Sequence, residues 1–80
     1  MINAQEALKM YVQSIPKDER YDEAMDEIEA MIINRAKNGF TFTNDSKLNI
    51  LLSIPGVLAT LSYLGYIAIK YPEPLIEWGP

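Results

Sequence analysis

The chain has 80 residues and a net charge of −4, from 11 acidic and 7 basic side chains, and this length suits one domain over residues 1–80. It contains neither Cys nor His, which excludes disulfides, thiolate zinc sites and His-dependent acid–base or metal chemistry. Broad contact with a phosphate backbone needs a basic surface, so the acidic balance argues against a nucleic-acid partner.

Two helices are predicted in the first half of the chain. Asn3 followed by Glu6 resembles a capping box, and apolar residues then recur at helical spacing until Pro16 ends the helix. Asp18 is placed to cap a second helix, which runs to about Asn38 and is followed by Gly39 as the C′ residue. The start of the chain has neither the basic residues nor the apolar run of a signal peptide, so we expect no leader sequence.

The second half predicts a strand, interrupted helical segments and a hairpin. Residues 40–43 alternate apolar and polar side chains, as a short strand does. Residues 47–64 suit a kinked helix or a helix pair, broken at Pro55-Gly56. Residues 66–71 alternate again, and residues 75–78 can return beside them after a proline-rich turn. The sequence therefore predicts an α+β domain of order α-α-β-α-β-β.

The spacing of apolar residues along each helix and strand predicts the core of this domain. Each helix and strand has one face on which its large apolar side chains recur. On that basis we expect a core of Leu61, Leu64, Ile67 and Ile69 packed with Ile28, Ile32 and Phe42.

A run of 22 residues without charge, from Leu48 to Ile69, raises a second interpretation. About 20 apolar residues suffice to span a bilayer as a helix. Against that interpretation, Pro55-Gly56 interrupts the run and strand-like alternation continues past Lys70. A buried helix followed by a core strand also gives such a run, so we expect core and keep a membrane span as the alternative.

Seven carboxylates lie between Asp18 and Glu29, and they form rows on the second helix. Asp22, Asp26 and Glu29 share one face, and Glu23 belongs to the neighbouring row. Such rows attract a basic partner or a hard cation, whereas a simpler interpretation is a solvated, solubilising helix face. We take Asp22, Asp26, Glu29 and Glu23 as candidate partner-binding residues.

Aromatic residues near the C-terminus are the next candidates for partner contact. Tyr and Trp are favoured at interfaces, although they more often fill a small core. Tyr71 and Trp78 are the members of this set that we assign to partner binding.

The order of a helix, a strand, a helix pair and a hairpin is also that of a winged helix. In that fold the helix before the hairpin enters the DNA major groove. Here that helix, residues 57–64, contains no Lys, Arg, Asn or Gln, and the turn of the hairpin contains Glu73. A helix that reads the major groove needs hydrogen-bond donors for the bases and cations for the phosphates. We therefore expect no DNA binding even if the fold is winged-helix-like.

Residues 28–78 resemble a loose pattern found among short uncharacterised proteins of tailed bacteriophages. The matching segments are Ala36-Lys37-Asn38-Gly39, the strand at 40–43, Leu64-Gly65-Tyr66, and Ile76-Glu77-Trp78. The Pro55-Gly56 interruption and the longer apolar helix depart from the pattern. The resemblance implies a small phage-encoded accessory or early protein and transfers no catalytic residue.

These observations favour a binding protein over an enzyme. The sequence has no nucleophile elbow and no phosphate-binding loop, and we expect no catalytic residue, cofactor or metal. The expected function is binding to another protein, with a basic partner favoured, in the bacterial host cytoplasm and with inhibition of a host system as its outcome. A membrane-inserted protein using residues 48–69 and a virion structural subunit are the alternatives, and self-association is compatible with all three.

Overall fold

The computed structural model describes residues 1–79 and shows an α+β fold with four helices and a three-stranded antiparallel sheet. The predicted fold class and element order are confirmed, and the broken helical segment is a pair of helices. The elements are α1 (Ala4–Ser14), α2 (Tyr21–Lys37), β1 (Phe42–Thr43), α3 (Leu48–Leu51), α4 (Val57–Tyr63), β2 (Ile67–Ile69) and β3 (Leu75–Glu77).

Local chemistry explains where the two long helices begin and end. The Asn3 side chain accepts a hydrogen bond from the Glu6 amide at 2.8 Å, which caps α1 as predicted. Asp18 does not cap α2 as predicted: its carboxylate orders the turn that precedes the helix, Arg20 is the N-cap residue, and the helix starts at Tyr21. At the other end, Gly39 has a φ of 86° and closes a Schellman-type turn after α2.

The three strands are arranged in the order β1-β3-β2, so the C-terminal strand is central. Thr43 and Ala68 both pair with Ile76, whereas Phe42 and Ile67 both pair with Glu77. Ile76 and Thr43 are buried. Since successive strand residues point to opposite faces, Thr43, Ile76 and Ala68 form the face toward the helices, and the row through Glu77 forms the outer face.

The core lies between the inner face of the sheet and the helices. Ile28 and Leu61 are buried as predicted, and Ile32 packs against the buried cluster. The buried apolar side chains are Ala24, Ile28, Leu48, Leu51, Leu52, Ile54, Val57, Leu61 and Ile76.

Three predicted core residues are exposed, and a fourth lies outside the core. Ile67 and Ile69 belong to the outer face of the sheet, because the register places Ala68 beside the buried Ile76. Leu64 follows the last residue of α4 and is 58% exposed. Phe42 is half-buried on the outer face, where its ring meets Phe40 edge to face. Those four core assignments were therefore wrong.

The uncharged run of residues 48–69 folds as three short elements, α3, α4 and β2, with turns between them. Within residues 1–79, every helix is too short or too polar to cross a bilayer. The turn at Pro55-Gly56 divides the run at the predicted place, with Gly56 in the left-handed region at φ 90°.

A chain of two side-chain hydrogen bonds joins α2 to α4. The Thr60 hydroxyl donates to the Gly56 carbonyl at 2.7 Å, and its oxygen lies 2.8 Å from the Tyr21 hydroxyl, which therefore donates to it. We expect Tyr21→Phe to lower the free energy of unfolding by about 1 kcal/mol, because the part-buried bond is lost while the ring remains. Urea unfolding measures this, and an unchanged midpoint would show that the bond contributes nothing.

Candidate protein-binding site

The acidic row of α2 is a solvent-facing ridge, as its spacing predicted. Asp22, Asp26 and Glu29 are all exposed. Asp22 forms an ion pair with Lys17 at 2.8 Å between Nζ and Oδ2. Asp26 and Glu29 form no ion pair within residues 1–79. Most of the negative charge on this ridge is therefore free to attract cations from outside the chain.

Asp18 lies just before this ridge and is neutralised locally. Its carboxylate accepts hydrogen bonds from the Arg20 guanidinium, at 2.9 Å to Nε and 2.9 Å to Nη2, and from the Arg20 amide at 2.8 Å. The guanidinium bonds, followed by the amide bond, lower the Asp18 pKa to about 2. Asp18 and Arg20 thus stabilise the entrance to α2 and leave the ridge without an arginine partner.

A titration checks this arrangement. Because folding lowers the Asp18 pKa, the carboxylate stabilises the fold fully above its unfolded pKa of 3.8. That contribution is lost as the pH falls through about 2. We expect the Asp18 carboxyl carbon to titrate near 2 by NMR, and Arg20→Gln to return the midpoint toward 3.8. A wild-type midpoint near 3.8 would contradict the ion pair.

An apolar groove adjoins the ridge. It lies between α2 and the end of α4, where α2 contributes Met25, Ile28 and Ile32 and the other side contributes Leu61 and Tyr66. Its volume is about 320 Å³, and it opens to solvent. The rim residues are Glu29, Ile33 and Leu64.

Two large apolar side chains on this rim are exposed. Ile33 is 46% exposed and Leu64 is 58% exposed. Ile33 also follows Glu29 by one helical turn, so the ridge of Asp22, Asp26 and Glu29 continues into an apolar residue. The groove and the ridge are therefore one continuous surface with an apolar half and an acidic half.

The other predicted site residues lie elsewhere. Glu23 is on the far side of α2, where it lines a smaller cavity with Arg20, Glu27, Leu51 and Ile54. Tyr71 is 77% exposed, with the Lys70 ammonium 5.7 Å from its ring centroid. Trp78 is half-buried, packs against the core and donates its amide to the Thr41 carbonyl at 2.9 Å. None of these three residues lines the groove.

The groove itself was missed by sequence reasoning. Leu64 was assigned to the core, and Ile33 was assigned no role. One signal was present, because Ile33 extends the helical spacing of Asp22, Asp26 and Glu29 and an apolar residue is unexpected on a solvated row.

The carboxylates in the described part of the chain are not arranged as a metal site. Within residues 1–79, no three Asp or Glu side chains converge closely enough to hold a metal ion. The acidic ridge is spread along a helix, and its side chains point into solvent. Its arrangement suits contact with a distributed set of cations better than a single ion.

Comparison of the chain with protein-family models, with curated proteins and with solved structures finds no match in any of the three.

Proposed function

We propose that this chain works by binding another protein, whose contact segment has apolar side chains on one face and basic side chains beside them. The apolar side chains lie in the groove between α2 and α4, and the basic ones face Asp22, Asp26 and Glu29. The observation that supports this proposal most is the pair of exposed apolar residues, Ile33 and Leu64, at an open apolar groove with carboxylates along its edge.

Apolar burial supplies the affinity in this proposal. Removing apolar surface from water is favourable by about 25 cal/mol per Å², and the affinity is what remains after the entropic cost of association is subtracted. Ile33 and Leu64 have much surface left to bury, and side chains that become fully desolvated in a well-packed interface contribute most of the binding energy. A segment with two or three large apolar side chains would cover the rim and the groove together.

The acidic ridge orients the partner and raises its association rate in this proposal. Asp22 and Asp26 are like charges one helical turn apart, a spacing that costs a few tenths of a kcal/mol. Basic side chains of a partner relieve this repulsion. Attraction between opposite charges also raises the association rate, and added salt reduces this effect because it screens the charges. A basic partner therefore fits the surface better than a neutral or acidic one.

The surroundings of α4 favour a protein partner over duplex DNA. In a winged helix, α4 would be the groove-reading helix, yet here α1 packs along it and the Gln5 side chain donates to the Tyr63 carbonyl at 3.2 Å. Ser62 is the one residue of α4 that is more exposed than half-buried. With α1 packed along it and no cationic side chain, α4 is poorly suited to reading base edges.

The proposal extends to biological setting on the strength of the resemblance alone. The likeness of residues 28–78 to short tailed-phage proteins suggests that the partner is a host protein in the bacterial cytoplasm and that binding inhibits it. A small binding domain inhibits by covering a surface that the partner needs, and this requires no catalytic residue in the chain.

A capture experiment with a matched control tests the proposal. The ridge variant carries Asp22→Asn, Asp26→Asn and Glu29→Gln, and the control variant carries Glu6→Gln, Glu19→Gln and Glu73→Gln. Both raise the net charge of −4 by the same amount. We expect a protein captured from bacterial lysate by the wild type and the control variant to be lost or reduced with the ridge variant.

The outcomes separate the ridge from general charge. Equal weakening by both variants would mean that net charge alone matters. Equal capture by all three proteins would exclude the ridge and direct attention to Tyr71. Recovery of assembled phage particles containing the chain would favour the virion subunit instead.

A further inference from the structure

The two edges of the sheet differ in how well they are covered. At the β1 edge, the Arg35 guanidinium lies 3.8 Å from the Phe40 ring centroid, and its Nε donates to the Phe42 carbonyl at 3.3 Å. That edge is therefore covered by a cationic side chain, a common protection against strand pairing. At the β2 edge, no strand of residues 1–79 pairs with the side opposite β3.

The register shows which backbone groups the β2 edge presents. The Trp78 amide donates to the Thr41 carbonyl, and bonded and non-bonded pairs alternate along an antiparallel ladder. The main-chain N–H and C=O of Ile76 therefore bond to β1 and point away from β2. Ala68 is the residue of β2 opposite Ile76, so its own N–H and C=O point away from β3, to the free edge of the sheet. Within residues 1–79 the Ala68 amide and carbonyl form no hydrogen bond outside the sheet.

Three features that commonly prevent pairing, a charged side chain, a proline and a bulge, are absent from the three residues of β2. The strand Ile67–Ile69 contains no charge and no proline, and its register with β3 is continuous, without a bulge. Its outer face exposes 59% of Ile67 and 40% of Ile69. Lys70 follows the strand directly, whereas Ile67–Ile69 itself presents an apolar, unpaired edge, which is a candidate for pairing.

We propose that the β2 edge pairs antiparallel with the β2 edge of a second copy of this chain, with the two-fold axis at Ala68. The strand reads Ile-Ala-Ile in both directions, so it is complementary to itself. Pairing places Ile67 opposite Ile69 of the second copy, and the reverse, as apolar pairs on the outer face. An interface formed from one patch on both copies is what two-fold symmetry requires.

Hydrogen bonding and charge are both compatible with this pairing. The two Ala68 residues exchange a reciprocal pair of main-chain bonds, and Lys70 of each copy lies opposite Tyr66 of the other. The Tyr66 amide is already bound to the Leu61 carbonyl at 3.0 Å, but its carbonyl can accept from the Lys70 amide. The two Lys70 residues lie about 14 Å apart along the strands, beyond a physiological Debye length of about 8 Å.

Sedimentation of complementary charge variants tests the dimer. One variant carries Ile67→Lys and Ile69→Lys, and the other carries Ile67→Glu and Ile69→Glu. Pairing sets like charges opposite each other in either variant alone and opposite charges together in the mixture. We expect the wild type to rise from 9.1 kDa toward twice that mass with concentration, each variant to stay monomeric, and the mixture to form a heterodimer.

Further measurements fix the location of the interface. Ile50→Lys, at an even more exposed isoleucine on α3, should leave the wild-type behaviour unchanged. In a mixture of labelled and unlabelled wild type, NMR should show contacts between Ile67 of one copy and Ile69 of the other. A wild type that stays monomeric at millimolar concentration would overturn the proposal, and so would dimers that persist in both charge variants.

Discussion

Replacing Leu61 by Ala should lower the free energy of unfolding by about 2–5 kcal/mol, the range for large-to-small changes at buried leucines. Leu61 is 1% exposed and belongs to the buried cluster between the sheet and the helices. A small domain has little stability to spare. We therefore expect Leu61→Ala to unfold at much lower urea concentration than the wild type, with a large part of the population unfolded at 37 °C.

The matched control for this change is Leu64→Ala, three residues further along. Leu64 is 58% exposed, so its truncation should alter stability by about 0.5 kcal/mol or less. Urea unfolding of both variants, followed by circular dichroism, gives the comparison. Equal destabilisation by the two changes would mean that α4 is rotated relative to the position described above.

The same Leu64→Ala change should have a large effect on partner binding. Leu64 and Ile33 are the exposed apolar residues on the rim of the groove. If Leu64 inserts against the partner, its truncation should cost about 2 kcal/mol, which is roughly 30-fold in Kd. Titration calorimetry with the captured partner measures this loss.

The control for binding is Ile50→Ala, which truncates an apolar residue of α3 that is 71% exposed and does not line the groove. We expect its Kd to equal that of the wild type. Loss of binding with Ile50→Ala and retention with Leu64→Ala would place the contact on α3 and exclude the groove.

Much of the fold follows from residues that cap, end or interrupt helices. Asn3 caps the first helix, Gly39 ends the second, and Pro55-Gly56 separates α3 from α4. These residues act through local backbone geometry, which is why their effects are visible without tertiary information. The order of helices and strands was predictable for the same reason.

The faces of the sheet were not predictable in this way. Side chains alternate along β2, so Ile67 and Ile69 lie on one face and Ala68 on the other. The alternation alone does not determine which of these two faces packs against the helices. Larger apolar residues are the natural choice for the inner face. The register with β3 decides otherwise, since it pairs Ala68 with the buried Ile76.

The candidate site was predictable only in part, for a related reason. The acidic ridge follows from helical spacing within α2, so its exposure could be foreseen. The groove forms where α2 packs beside the end of α4, residues that are far apart in sequence. Spacing within one element contains no information on such a junction, and Leu64 was therefore assigned to the core.

Methyl NMR of the chain in complex with the captured partner locates the contact directly. With isoleucine and leucine methyl groups labelled, the account predicts that the signals of Ile32, Ile33 and Leu64 shift on binding. The signals of Ile50, remote from the groove, should stay in place. Shifts confined to Ile67 and Ile69, with the groove methyl groups unmoved, would contradict the assignment of the partner to the surface between α2 and α4.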